Sequence, residues 1–518
     1  MHPLFRLAFQ RFLSLATLVF AAFAWPCRVA AATADDLAWT LSDYATMSGN
    51  VLTVDVPADA PSGMYGATAE LDLAPYEGRS LEATVEAAAG PISRADKGIH
   101  GLKFMFHFSG AQGGLEYYPE ARRPQTPFAR RRLEVSDTLS GGSRSARGTL
   151  FLGLQGVYGR IVFDLSTLDI VSGEPFYPQV NGDLQCAYTP RVADAPQRRG
   201  VMLPVRDCTE DDFRTLAEWG VTLVRYQMTD GPEPGEGEAM DAYLARYRAW
   251  LDGKLDHLDR DMLPWAVRYG MEVVVDLHTP PGGRVEAREF RMFREKAFAD
   301  AFVAMWRGIA LRFLGRAGIY GYDLCNEPDQ LSAAPFDYWT LQRLAAEAVR
   351  EIDPETPIIV ESNNKTAPQT FSYLCPLNLT NVIYQVHMYE PGDFTHQLPR
   401  SRQGGETPAL MRYPSPVRNK AVLERVLSVV RAFEEKHGAK IYVGEFSASA
   451  WAPGAETYLA DCIALFRDYG WNWTYHAFRE WEGWSVEHEP VAWGTGHDCF
   501  RPSADNPRKR ALLEGFSR

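Results

Sequence analysis

Ile319-Tyr-Gly-Tyr-Asp-Leu-Cys-Asn-Glu-Pro328 is the stretch on which the reading of the fold turns. It has the character of a buried strand that ends in a polar triplet, Asn326-Glu327-Pro328. Proline cannot extend a ladder, so the strand closes there. A carboxylic acid placed where an apolar strand runs out is partly desolvated. That raises its pKa towards neutral and suits it to general acid work. The neighbouring Asn can hold a substrate hydroxyl. Three residues alone fit a solvated loop equally well, and the flanking sequence decides between the two.

Around this stretch the chain alternates apolar runs with helical patterns. Gly200–Val205 and Thr222–Met228 precede it as strands, with a helix from about Asp211 to Trp219 between them, capped by Thr209. A long helical region then reaches Tyr269, Glu272–Leu277 is the third strand, and a helix covers roughly Glu289 to Arg316. The opening strand is fourth. Ile358–Glu361, Val382–Met388, Ile441–Phe446 and Trp473–Phe478 follow as fifth to eighth, separated by helices near Tyr338–Ile352, Val417–His437 and Glu456–Tyr469, with a last helix at Pro507–Phe516. Eight continuous apolar strands alternating with helices over residues 200–518 predict a (β/α)8 TIM barrel. An open doubly wound sheet would want a Gly-rich phosphate turn after its first strand, and Leu203-Pro-Val-Arg-Asp is not one.

The first half reads differently. Residues 33–172 carry short period-two strands at Val51–Val56, Ala67–Leu73, Leu81–Ala87, Leu102–Phe108, Gly148–Gln155, Ile161–Leu165 and Leu168–Val171. Turn clusters lie between them, which predicts an all-β, jelly-roll-like sandwich. The Arg122, Arg123, Arg130, Arg131 and Arg132 cluster is expected in a solvated loop. Residues 173–199, with Tyr177-Pro, Tyr188-Thr-Pro and Ala195-Pro, read as a linker or strap. Residues 1–32 have a basic start, an apolar run from Phe12 to Trp25 and small residues at Val29-Ala-Ala-Ala32, the pattern of a secretory signal. That run is too short to span a bilayer, so a secreted or periplasmic protein is expected.

The net charge of −13 argues against nucleic acid and anionic membranes as partners. The cysteines beyond the leader are scattered, with no Cys-x-x-Cys pair, and no His-x-His accompanies His278. Neither a metal nor another cofactor is expected. Cys325, inside the opening strand, reads as a free buried thiol.

In a barrel, chemistry gathers at the carboxyl ends of the strands. Here those ends carry Arg225, His278, Asn326-Glu327, His387 with Tyr389, Glu445 and His476. Two carboxylates, ending the fourth and seventh strands, face each other across such a mouth. That arrangement suits hydrolysis of a glycosidic bond if their environments push their pKa values apart. Arg225 and Tyr389 would favour ionised Glu445, leaving Glu327 as the carboxyl that stays protonated.

Leu223-Val-Arg225, Asp276-Leu-His278, Asn326-Glu-Pro328, His387-Met-Tyr389 and Gly444-Glu-Phe446, in this order, resemble the motifs of glycoside hydrolase family 5, the cellulase-like retaining glycosidases. The resemblance implies double displacement with Glu327 as acid/base and Glu445 as nucleophile. Arg225, His278, Asn326, His387 and Tyr389 would support substrate. The family's eighth-strand tryptophan platform falls here on His476, and Trp481 or Trp484 would take over its stacking role. The loop Met388-Tyr-Glu-Pro-Gly-Asp-Phe-Thr-His-Gln397 is similar to one in the family's endoglucanases. A polysaccharide substrate, an endo-β-1,4-glucanase-like activity and a monomer are therefore expected. An exo-acting or transglycosylating β-glucosidase or β-mannanase remains the alternative, as does a non-catalytic polysaccharide-binding protein. The sandwich is similar in outline to carbohydrate-binding modules.

Overall fold

The computed structural model describes residues 29–517 apart from 74–75, 77–78, 96–98, 111–115, 122, 139–143, 176–183, 190–195, 286–288, 331–333, 398–409 and 495. Residues 1–28, which hold most of the expected secretory signal, Arg122 and about half of the 173–199 segment lie outside the described residues.

The N-terminal part is built from two antiparallel sheets. One has the order Ala45–Ser48, Val51–Val56, Gly159–Pro175, Arg79–Ile92, Phe128–Thr138, with Val29–Thr33 also paired on Gly159–Pro175. The other runs Trp39–Leu41, Met64–Asp72, Arg144–Gln155, Gly101–Gly110, Glu116–Tyr117. Alternation decides the core. Leu52, Val54, Leu81, Ala83, Val85, Ile161 and Phe163 bury with Phe104, Phe106, Leu150 and Leu152 between the two sheets.

Two expectations need correction here. Ile161–Leu165 and Leu168–Val171 are one strand, Gly159–Pro175, whose register shifts between Asp164 and Asp169. Thr167 Oγ1 holds that bulge by accepting the Glu86 N–H at 2.8 Å and donating to the Asp164 carbonyl at 2.6 Å. Arg130, Arg131 and Arg132 lie on the strand Phe128–Thr138, not in a loop. Arg130 pairs with Glu86 on the neighbouring strand, so the charges face outward across a ladder whose apolar positions, Leu133 and Val135, stay buried. Val29–Thr33 pairs with Asp169–Ser172, so the small residues read as a cleavage site also form a sheet edge.

The C-terminal part is a closed barrel of eight parallel strands. In order they are Arg199–Met202, Leu223–Gln227, Glu272–Asp276, Ile319–Asp323, Ile358–Glu361, Val382–Met388, Lys440–Phe446 and Asn472–Tyr475. Helices Glu210–Trp219, Met240–His257, Lys296–Phe313, Tyr338–Arg350, Lys420–His437, Ala455–Tyr469 and Pro507–Ser517 surround it. Met240–His257 runs on through a π-helical turn, Leu258–Met262, into Leu263–Arg268, which accounts for the long helical pattern. Thr209 caps the first barrel helix, its N–H donating to Asp212 across 2.9 Å.

The barrel has two ends of opposite character. At the amino ends of the strands Leu223, Val274, Tyr320, Ile359, Ile383 and Tyr442 form an apolar plug, and Tyr188 packs against it. The strap that carries Tyr188 is tied down at Cys186 N to the His437 carbonyl, at Ala187 O to Asn381 N and at Thr189 N to Asn381 Oδ1, across 2.6–2.7 Å. Its described part therefore closes the barrel floor. One step further along, Arg225, Asp276, Glu361 and Gln385 make the inward positions polar. Cys186, Cys208, Cys325, Cys375, Cys462 and Cys499 are all free thiols, and Cys325 is buried as expected.

Candidate active site

Strand alternation explains why the functional groups converge. Residues two apart on one strand both point into a barrel. Arg225 and Gln227 share the second strand in this way, and Gln385 and His387 share the sixth. Their common destination is a pocket of about 530 Å3 that exposes Asn326, Glu327, His387, Tyr389, Glu445 and His476.

Arg225 is fully buried at the bottom of this pocket. Its Nη1 donates to Glu445 Oε1 at 2.6 Å, Nε to Asp323 Oδ2 at 2.9 Å, and Nη2 to Asn326 Oδ1 at 2.9 Å and Glu361 Oε1 at 3.1 Å. Asp276 Oδ2 lies 3.2 Å from Nη2. One planar cation thus braces the second, third, fourth, fifth and seventh strands, a task its rigid fork suits better than an ammonium. Asn326 is aimed by this contact, and its Nδ2 faces His278 Nε2 at 3.1 Å. His278 Nδ1 faces Asp276 Oδ2 at 2.9 Å, so the ring that accepts from Asn326 donates to Asp276.

The two carboxylates differ in surroundings. Glu445 leaves only 5% of its side chain accessible and accepts from Arg225 and from the Tyr389 hydroxyl, the latter at 2.8 Å. Burial opposes its charge, but His387, His476 and Arg225 outweigh that and hold its carboxyl well below the usual range. Glu327 keeps 24% of its side chain open to the pocket, and its Oε1 lies 3.0 Å from His387 Nδ1. Its backbone is left-handed, φ 48°, and is pinned by its N–H to Glu361 Oε2 at 2.7 Å and by Arg284, which donates to its carbonyl at 2.8 Å.

Glu327 was expected to stay protonated, through partial burial and because Arg225 and Tyr389 favour ionised Glu445, and here the direction runs the other way. Burial does push its pKa up, but the His387 hydrogen bond prevails, and the carboxyl ends below its usual range. The complement is His387: burial disfavours its charge, yet Glu445, Glu361 and Glu327 push it up to about 9. Of this pair the imidazole, rather than the Glu327 carboxyl, is the group on which the surroundings favour a proton.

Tyr389 and His476 complete the wall. Tyr389 Oη lies 2.5 Å from His476 Nδ1, and His476 Nε2 lies 3.1 Å from Glu480 Oε1. Trp484 lines the pocket, stacked on His476 at 5.8 Å. Trp481 stands behind it, 6.0 Å from Trp484 and 5.8 Å from Trp451, so of the two candidate platforms Trp484 is the one facing the cavity.

Asp323, Glu361, Gln385, Gln227 and Glu480 were not singled out from the sequence. Alternation could have found two of them, since Gln385 and Gln227 stand two residues from His387 and Arg225. Gly444 makes room for Gln385: a Cβ there would sit 2.3 Å from the amide carbon. Among the described residues, Glu327, His387 and Glu445 are the one group of acids and histidines close enough to share a cation, with ligand atoms within 4.8 Å of one another. Those atoms are already committed to one another, to Arg225 and to Tyr389. Among the described residues no helix is long and apolar enough to cross a membrane.

The cellulase family model, glycosyl hydrolase family 5, matches residues 194–481. The chain belongs to glycosyl hydrolase family 5. It is similar to Endoglucanase C of Acetivibrio thermocellus, 26% identical over 314 residues, which covers 55% of this chain and 88% of that protein. It is also similar to Cellodextrinase A of Ruminococcus flavefaciens, 25% identical over 249 residues, 46% of this chain and 68% of that protein. Among solved structures, Thermotoga maritima Cel5A in complex with cellobiose is 19% identical, with a TM-score of 0.45 over 62% of this chain and 97% of that one. As a family 5 member the chain is a glycoside hydrolase, and its matched segment contains the whole pocket apart from Trp484.

Proposed function

We propose that this family 5 enzyme is a retaining β-glycanase cutting β-1,4-linked glucan within the polymer, with Glu445 as nucleophile and Glu327 as acid/base. The observation that carries the reading is the short reach between the two carboxylates, whose nearest oxygens fall within 4.8 Å. Retaining enzymes hold their carboxyls about 5–5.5 Å apart, whereas inversion needs about 6.5–9.5 Å to admit a water.

The division of labour follows from the surroundings. Glu445, held ionised, attacks the anomeric carbon. The departing oxygen takes a proton from Glu327, which draws it from His387 Nδ1, 3.0 Å away. In the second step Glu327 accepts a proton from the water that breaks the glycosyl–enzyme ester. Asn326, immobilised by Arg225, is placed to hold the sugar 2-hydroxyl as oxocarbenium character develops.

Likeness to Endoglucanase C supports internal cleavage. Likeness to Cellodextrinase A supports a second reading, action on short oligosaccharides from their ends. In the same proposal the protein is exported, works as a monomer, and uses residues 33–172 as a carbohydrate-binding module. Glu327→Gln and Glu445→Gln should each cost about a hundred- to ten-thousand-fold or more in turnover with the fold intact. Undiminished turnover in either variant refutes the assignment. Products resolved over time on β-glucans, β-mannans and xylan distinguish internal from terminal cleavage.

A further inference from the structure

His476 has both ring nitrogens engaged, and by groups of different kinds. Its Nε2 faces Glu480, whose other oxygen accepts from Gln227 Nε2 at 2.7 Å. That amide also donates to the Leu203 carbonyl at 2.7 Å, so Glu480 is held in place from the first and second strands. The Nδ1 of His476 lies 2.5 Å from the Tyr389 hydroxyl, which is itself 2.8 Å from Glu445 Oε2. Tyr389 has one hydrogen and two neighbours able to take it: the Glu445 carboxylate and, when the ring is neutral, the Nδ1 lone pair.

The groups that face this ring come from every side. Glu480 lies on its own loop, Glu445 Oε2 is 3.5 Å away on the seventh strand, Tyr389 and His396 follow the sixth strand, and Glu327 follows the fourth. Burial disfavours charge on His476, but Glu480 and Glu445 prevail and push it up to about 9. As an imidazolium it donates from both nitrogens, so Tyr389 must accept from it and turn its own hydrogen onto Glu445. A neutral ring keeps its Nε2 hydrogen on Glu480, a carboxylate that needs a donor, and offers Tyr389 a bare Nδ1.

We propose that the Glu480–His476 pair is a positioning device for the nucleophile: the charged ring fixes the Tyr389 hydrogen bond onto Glu445, and loss of one proton turns that bond away. The proposal rests on the reading of Glu445 as a retaining nucleophile. The Nδ1 proton of His476 goes to solvent, the Tyr389 O–H rotates from Glu445 to Nδ1, and no covalent bond other than N–H breaks. The step that feels the change is breakdown of the glycosyl–enzyme ester, in which Glu445 regains its negative charge and a donor aimed at it stabilises the transition state.

The test is the pH profile of kcat on dinitrophenyl β-cellobioside, an activated substrate chosen so that ester breakdown limits turnover. Glu327 acts as a base in that step, so rising pH does not disable it and the alkaline limb reports the relay. Glu480→Gln preserves shape and removes the charge that keeps His476 protonated. Its alkaline limb should move down by at least one pH unit, while Glu480→Asp retains the wild-type limb. In a Tyr389→Phe background, with no hydrogen to turn, Glu480→Gln should shift nothing. Superimposed wild-type and Glu480→Gln profiles overturn the proposal, as does an equal shift in the Tyr389→Phe background. The anomeric configuration of the first product, read by proton NMR, separates this result from the reading beneath it. A β product with superimposed profiles overturns the relay alone, and an α product overturns both.

Discussion

Arg225 reaches Glu445 across 2.6 Å with neither side chain more than 5% accessible, and the same guanidinium contacts Asp323, Asn326, Glu361 and Asp276. A contact of this kind is expensive to break from one side, because the acids left behind cannot reach water. Arg225→Met should lower the unfolding free energy by about 3–5 kcal/mol, measured in urea. Arg225→Lys keeps the charge but loses the fork, so Asn326 and Glu445 can no longer be aimed together. Its kcat/KM should fall by about a hundredfold or more with a smaller loss of stability. Equal stability losses in the two variants would count against the bracing role.

In the proposed mechanism Glu327 delivers a proton held on His387, so the alkaline limb of kcat/KM belongs to the pair and is expected near 9. In His387→Gln the proton can reside only on Glu327. Burial and Glu445 then push that carboxyl up with Arg284 still opposing them, starting from a carboxyl's ordinary value, well below an imidazole's. The alkaline limb should therefore move to lower pH, by one unit or more, on an unactivated oligosaccharide. A limb that stays in place contradicts proton storage on His387.

The same two histidines make stability depend on pH. His387 and His476 titrate at about 9 in the fold, against about 6.5 when unfolded. Between those values the folded chain binds more protons than the unfolded one. Their contribution is thus fully present below about pH 6.5 and is lost as pH rises through about 9. Glu445, held low, acts in the opposite sense: its contribution is present above its unfolded value and is lost only as strong acid protonates it. The urea midpoint should fall from pH 7 to 9.5, and less steeply in His476→Gln.

Tyr188 closes the amino end of the barrel against Leu223, Val274, Ile383 and Tyr442. Removing a half-buried aromatic ring there should cost about 2–3 kcal/mol, read from the urea midpoint of Tyr188→Ala, while KM stays unchanged because the pocket lies at the opposite strand ends. An altered KM would show that the floor and the mouth are coupled.

Most of the barrel was legible because two-sided burial leaves long apolar runs. Ile358–Glu361 and Val382–Met388 match their expected limits, and the remaining strands differ by a few residues at their ends. The sandwich was harder. Trp39–Leu41, Ala45–Ser48 and Glu116–Tyr117 are too short for alternation to register, and Phe128–Thr138 hides behind an exposed run of arginines. In the site, polar strand endings singled out Glu327, Glu445 and their neighbours. Asp323 escaped because it reads as lying inside the opening strand, and Glu361, although it ends the fifth, gives no sign of facing a buried guanidinium. The protonation of Glu327 escaped for a related reason: burial can be read from an apolar strand, but the distance from His387 Nδ1 to Glu327 Oε1 cannot.

Glu327 has a left-handed backbone, and so do Asn364, Lys365 and Thr366, whose loop meets it through the Lys365 N–H on the Pro328 carbonyl at 2.9 Å. Each such residue other than glycine costs on the order of 1–3 kcal/mol, held in place here by Arg284 and Glu361. The consequence is an evolutionary one. Asn or Gly at position 327 would fit the same turn with less strain while abolishing the acid. On the proposed mechanism the strained residue is also the one that supplies the chemistry, so a lineage released from turnover would have a route to an inert barrel with a relaxed backbone.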